Sequence, residues 1–264
     1  MLAAAMFPVS EQNWPSRLWL VRHGQSAGNV ARAAAEAAGV PSIDIAERDM
    51  DVPLSPLGEN QARALGRWFA ATAEGQRPSV VLMSPYERAL QTAALVVDNG
   101  GLRCNPTLVQ VVDERLREKE FGVLNKLTKA GILATLPREA ELRAHVGKFY
   151  YRPPGGESWC DVILRLRSVM DTIQLQYQRE RVLVVAHQVV VLCLRYLFES
   201  MTERQILDID EAADLANCSV TEYEFERDAS GRGHMALRVY NLVAPLEEAG
   251  EQVTDKPDVP AAPR

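Results

Sequence analysis

Three short apolar runs recur along the 264-residue chain, and each leads into a helical pattern. They are Arg17–Val21 ("RLWLV"), Ser79–Met83 ("SVVLM") and Arg181–Ala186 ("RVLVVA"). Runs of this length, bounded by polar or turn residues, read as strands buried on both faces. Strands alternating with helices predict an α/β fold. Its architecture would be three-layer α/β/α, a mostly parallel central sheet with helices on both faces.

The helices carry start signals. "SPLGENQARALGRWFAATA" opens with Ser55 and Pro56. "SPYERALQTAALVV" places Ser84 as N-cap, Pro85 at the first helical position and Glu87 as the far member of a capping box. In "SWCDVILRLRSVMDTI", Val162, Leu166, Val169, Met170 and Ile173 share one face. "VVVLCLRYLFES" reads as a largely buried helix after the third strand. Two later runs, "VTEYEFE" and "MALRVYNLV", flank the turn "RDASGRG" and predict an antiparallel hairpin at a sheet edge.

These elements set the expected organisation: an N-terminal extension over 1–16, one folded domain over 17–243, and a helical cap inserted at about 122–154. The Pro- and charge-rich tail over 244–264 lacks periodicity and predicts disorder.

Composition narrows the function classes. A net charge of −6 argues against a nucleic-acid partner, and an anionic ligand would need a local basic cluster. The four cysteines form no C-x-x-C pair and read as reduced thiols. The opening "MLAAAMFPVSEQNWPS" lacks a signal-peptide pattern, and no apolar run approaches the ~18 residues of a membrane span. The expectation is a cytoplasmic protein with no membrane partner. Assembly into a homo-oligomer is left open.

Two of the four histidines stand out. His23 ("WLVRHG") and His187 ("LVVAHQ") each follow a predicted strand, at the sheet edge where open parallel sheets bind ligands. A lone strand-end histidine is more often a satisfied polar residue than a catalyst. Here Arg22 and Arg88 join the pair at the same edge, and arginine forks match phosphate oxygens. Two histidines without H-x-x-x-H spacing or a cysteine cluster do not make a zinc site, and the sequence implies no metal and no cofactor.

The joint pattern resembles the histidine phosphatase superfamily, the phosphoglycerate-mutase-like enzymes. "LVRHGQSAGN" is similar to its nucleophile motif, with Asn29 six residues after His23. "PLSPLGENQA", "SPYERALQTA", "LREKEFG" and "LVVAHQ" follow in family order. The resemblance implies His23 as nucleophile, Arg22, Arg88 and His187 as oxyanion donors, and Glu118 as general acid, with Glu114 in reserve. It places Asn29, Gln188, Gly155, Gly156 and Lys148 around a small phosphorylated substrate.

"KFYYRPPGGESW" and Gln188 resemble the fructose-2,6-bisphosphatase branch most nearly. Leu192 stands where that branch has an arginine. Trp159 and Lys129 each replace a tyrosine, and Trp159 would put apolar bulk beside the sugar site. Arg143 lies only near another cap arginine's place. The catalytic set therefore carries over and the sugar-phosphate set does not. The expected activity is phosphomonoester hydrolysis through phosphohistidine on a small metabolite, sugar phosphates included. The alternatives are a phosphoglycerate mutase, which usually has glycine where Gln188 stands, and a non-catalytic phosphate-binding module.

Overall fold

The computed structural model describes residues 13–256. The expectations for residues 1–12 and 257–264 lie outside these. Among the described residues, six strands form one sheet: β1 (Arg17–Arg22), β2 (Val80–Met83), β3 (Val109–Val112), β4 (Arg181–Ala186), β5 (Val220–Arg227) and β6 (Gly233–Leu242). Nine helices surround it: α1 (Ala27–Ala37), α2 (Pro56–Ala71), α3 (Glu87–Asn99), α4 (Lys129–Thr135), α5 (Pro137–Val146), α6 (Trp159–Gln176), α7 (Gln188–Phe198), α8 (Glu203–Ala212) and α9 (Ala244–Glu247).

The strand order is β3-β2-β4-β1-β5-β6. The first four strands run parallel, and the β5–β6 hairpin adds an antiparallel edge beside β1. Successive side chains of a strand point to opposite faces. Leu18, Leu20, Val182 and Val184 accordingly pack with α6 and α7, while Trp19, Val21, Leu183 and Val185 pack with α2 and α3. Each such fully buried side chain contributes about 1.5–3 kcal/mol of hydrophobic stabilisation. That is why the strands read as unbroken apolar runs. The expected α6 face is buried at Val162, Leu166, Val169 and Ile173, with Met170 partly covered.

Register places the functional edge. β1 and β4 are neighbours, and Arg22 pairs with Ala186. The residues that follow them, His23 and His187, are thus carried side by side.

Two expectations need correction, and one strand, β3, has no counterpart among them. Ser84 is not a helix cap: α3 starts at Glu87, its N-cap is Tyr86, and no side chain caps it. The Ser84 hydroxyl instead serves His187. The edge strand β3 has three of its four residues exposed or nearly so, and that left it without the apolar signature of its neighbours. Most important, the described part of the tail is ordered. Residues Ala244–Glu247 are helical, Leu246 is fully buried in the core, and Gln252–Lys256 lie against the functional edge.

The turn after His23 is held by a close backbone approach. A Cβ on Gly58, in the first turn of α2, would sit 1.9 Å from the Gln25 carbonyl oxygen. Both sides of that contact are backbone and neither can swing away. Gly58→Ala is expected to destabilise the fold by about 1–3 kcal/mol, as overpacking does. Thermal unfolding would register this as a lowered Tm, with a larger loss of activity because the displaced turn carries His23.

Candidate active site

His23 leaves the end of β1 fully buried. Its backbone N–H donates to the Ala186 carbonyl at 3.0 Å, which ties it to β4. Two of its side-chain contacts bear on its tautomer. Nδ1 lies 2.7 Å from the Gly24 carbonyl oxygen. A carbonyl only accepts, so the proton sits on Nδ1. Nε2 receives the Arg88 Nε–H at 3.2 Å. A guanidinium only donates, so Nε2 presents a lone pair. These two neighbours favour one neutral tautomer, with Nε2 facing the arginine.

Arg88 lies in the first turn of α3 and is buried. Its Nη1 also reaches Asp49, at 2.5 Å to the carbonyl and 3.2 Å to the carboxylate. The Tyr86 ring lies under its guanidinium at 5.0 Å. His187 is the N-cap of α7, with its ring 5.1 Å from that of His23. The Ser84 hydroxyl is 2.7 Å from His187 Nε2. Glu118 is buried, accepts the Lys119 backbone N–H at 2.7 Å, and brings Oε2 to 3.9 Å from His187 Nδ1. Glu114 is exposed, so of the two candidate acids only Glu118 faces the histidines.

Arg22, at the end of β1, is fully buried. Its Nη1 donates to the carbonyls of Leu215 and Asp255, and its Nη2 donates to that of Lys256. Asn29 completes a capping box with Ser26 through Oδ1, which leaves Nδ2 to donate to the same Lys256 carbonyl at 3.0 Å. His23, Glu118, His187, Arg22, Arg88 and Asn29 are thus gathered at one sheet edge. The arrangement offers a nucleophilic nitrogen, two guanidinium forks and a carboxyl group within one buried site. Such a set can accept phosphoryl oxygens and exchange a proton with a leaving group.

The remaining sequence candidates meet other partners. Gln188 donates to Asp214 at 3.0 Å. Lys148 pairs with Asp210 and lies over the Trp159 ring at 5.5 Å. Gly155 and Gly156 pack against the backbone of Gly122 and Glu120, bracing the segment that carries Glu118. Trp159 is 2% exposed and packs within the core. Leu192 is likewise core, and Lys129 is exposed at the start of α4.

Sequence reasoning missed four contributors. Ser84 was assigned to a cap, although its place at the end of β2 puts it at the histidine edge. Asn217 donates to the His23 carbonyl at 3.0 Å from a loop with no pattern of its own. Asp49 sits in a short turn far away in sequence. Lys119 directly follows the acid. It is buried with its ammonium 4.3 Å from the Phe121 ring centroid, and desolvation pulls its pKa down to about 8. The Lys119 charge is therefore lost as pH rises through about 8, well below the ordinary lysine range. For a phosphate ester, kcat/KM is expected to fall above that pH, and Lys119→Met should lower kcat/KM and remove the limb. A pH profile of both proteins checks this; an identical alkaline limb in the variant would assign it elsewhere.

Among the described residues, no group of three or more His, Cys, Asp or Glu side chains is placed to hold a metal ion. Nor, among them, is any helix long and apolar enough to cross a membrane.

Comparison with known proteins places the chain in a family. Residues 18–232 match the model of the histidine phosphatase superfamily, branch 1. The chain belongs to that superfamily. It is 31% identical over 193 residues to a 2,3-bisphosphoglycerate-dependent phosphoglycerate mutase of Methylobacterium sp. (strain 4-46), covering 72% of this chain and 83% of the mutase. It is 33% identical over 198 residues to a 6-phosphofructo-2-kinase/fructose-2,6-bisphosphatase of Caenorhabditis elegans, covering 74% of this chain and 37% of that protein. Among solved structures it is similar to a mycobacterial glucosyl-3-phosphoglycerate phosphatase, with a TM-score of 0.62 and 26% identity over 86% of this chain and 99% of that one. The chain is accordingly an α/β enzyme of this superfamily, with phosphatase and mutase relatives.

Proposed function

We propose that the chain is a phosphomonoester hydrolase that passes the phosphoryl group through His23 and acts on a small phosphorylated metabolite. The observation that carries this reading is the tautomer of His23: Nδ1–H held by Gly24, and the Nε2 lone pair beside Arg88. In the first step Nε2 bonds to phosphorus and the ester P–O bond breaks. The leaving oxygen takes the Glu118 proton. In the second step the Glu118 carboxylate takes a proton from water, the water oxygen bonds to phosphorus, and the N–P bond breaks. Splitting the displacement in two lowers each barrier. Arg22, Arg88, Asn29 and His187 hold the equatorial oxygens, where charge is largest. Arginines supply the positive charge that a metal would otherwise bring.

The mutase relative favours a second reading, in which His23 returns the phosphoryl group to a second oxygen of the substrate. A broad phosphate-ester panel, read both as released phosphate and as isomerised ester, separates the two. Phosphate release that persists in EDTA is the expected result. Fructose 2,6-bisphosphate should be among the poorer substrates, because the core residue Leu192 stands where the fructose-2,6-bisphosphatase branch has an arginine. Isomerisation without release would favour the mutase, and activity restored only by a divalent ion would overturn the mechanism. No turnover of any ester, with phosphate still bound, would favour the binding module.

A further inference from the structure

The groups that this reading reserves for phosphate are already engaged by the chain's own backbone. The Lys256 carbonyl oxygen accepts from both Arg22 Nη2 and Asn29 Nδ2, and the Asp255 carbonyl accepts from Arg22 Nη1. Two donors converging on one oxygen is the geometry a phosphoryl oxygen would take.

The segment that delivers these carbonyls is clasped on the way in. The Gln252 carbonyl and the Thr254 hydroxyl both receive the Gln61 amide, at 2.8 and 3.0 Å. The Thr254 hydroxyl donates to the Asn217 side chain at 2.9 Å, and the Asn217 backbone N–H donates to the Thr254 carbonyl at 2.7 Å. Asn217 is the residue that also holds the His23 carbonyl. The clasp is thus built onto the nucleophile's own turn.

The segment has a fixed root and a glycine joint. Leu246 of α9 is buried against the α2 side of the core. Gly250 follows with φ +70°, and a Cβ there would meet nothing within 4 Å. The Glu251 N–H donates to the Leu246 carbonyl at 2.9 Å, so rotation at Gly250 would lift the segment at the cost of that capping bond while Leu246 stays buried.

We infer that Gln252–Lys256 is an autoinhibitory strap, a pseudo-ligand whose carbonyl oxygens occupy the phosphate cradle and must leave before a phosphate ester binds. The inference rests on the proposed role of Arg22 and Asn29 as phosphate donors. Neutral carbonyls bind a guanidinium less strongly than a phosphate dianion does, so substrate can displace the strap. What the strap imposes is a lowered fraction of binding-competent molecules, and apparent affinity falls by that fraction. A strap closed nine-tenths of the time would weaken phosphate binding about tenfold.

The test compares the full chain with a chain ending at Gly250, and reads inorganic phosphate affinity by calorimetry. That readout does not require turnover. The truncated chain is expected to bind phosphate about tenfold more tightly, with KM for a good ester lowered by the same factor and kcat little changed. A synthetic peptide of residues 251–264 should then inhibit it competitively with phosphate. Thr254→Ala in the full chain should move affinity in the same direction by a smaller factor. Hydrogen exchange over residues 251–256 of the unaltered chain should rise on saturation with phosphate. Should the truncated chain fail to fold, Thr254→Ala and the exchange measurement still decide.

Unchanged or weaker phosphate binding in the shortened or substituted chain overturns the strap, as does greater protection of 251–256 with phosphate bound. Those results would make the segment a wall of the pocket. If neither chain turns over any ester while phosphate still releases the strap, the hydrolase reading fails and the strap stands.

Discussion

His23→Ala is expected to abolish phosphate release, with kcat/KM lowered roughly 10⁴–10⁶-fold, the range seen when a covalent nucleophile is removed. The residual rate would come from Arg22, Arg88 and His187, which still bind and polarise the ester. The fold should survive. His23 is buried, but the backbone N–H contact to Ala186 does not involve its ring. Phosphate affinity should therefore change far less than turnover. Activity within about tenfold of the unaltered chain would mean that Nε2 does not attack phosphorus.

Glu118→Gln should divide the two steps by their demand for a proton. The amide matches the carboxyl in size and can still accept the Lys119 backbone N–H. It cannot donate a proton to a leaving alkoxide. With an alkyl phosphate the first step should slow by about 10²–10⁴-fold, the usual worth of a placed general acid. An aryl phosphate with a good leaving group needs no such help, so His23 should be phosphorylated at a near-normal rate. Water activation in the second step would still lack its base. The variant should then give a burst of one phenolate per site followed by a slow steady state, with phosphoenzyme accumulating. Equal slowing of both ester types, with no burst, would assign the proton to another group.

The site was legible in the sequence because it uses residues that strand and helix ends place without help from the rest of the fold. His23 and His187 follow apolar runs that could only be buried strands, and pairing of β1 with β4 brings them together. Arg88 follows from the helix after β2. The residues that were not legible act through long-range contacts. Ser84 binds His187 across 103 residues of sequence, and Asn217 reaches His23 across 194. No local periodicity records such pairs. The tail failed for a related reason. Gln252–Lys256 is polar and aperiodic, so it reads as unstructured, yet its order comes from hydrogen bonds to Gln61, Asn217, Arg22 and Asn29, all distant in sequence. The substrate-side residues were less legible, because burial and pairing partners are not local properties. Trp159 and Leu192 are core residues here, and Lys148 is spent on Asp210.

The most direct measurement of the account is to quench turnover of an activated phosphate ester in alkali, where phosphohistidine survives, and locate the phosphoryl group by mass spectrometry and phosphorus NMR. The tautomer fixed by Gly24 predicts modification of His23 alone, on Nε2. A phosphoryl group on His187, on Nδ1 of His23, or on no residue under conditions of rapid phosphate release would contradict it.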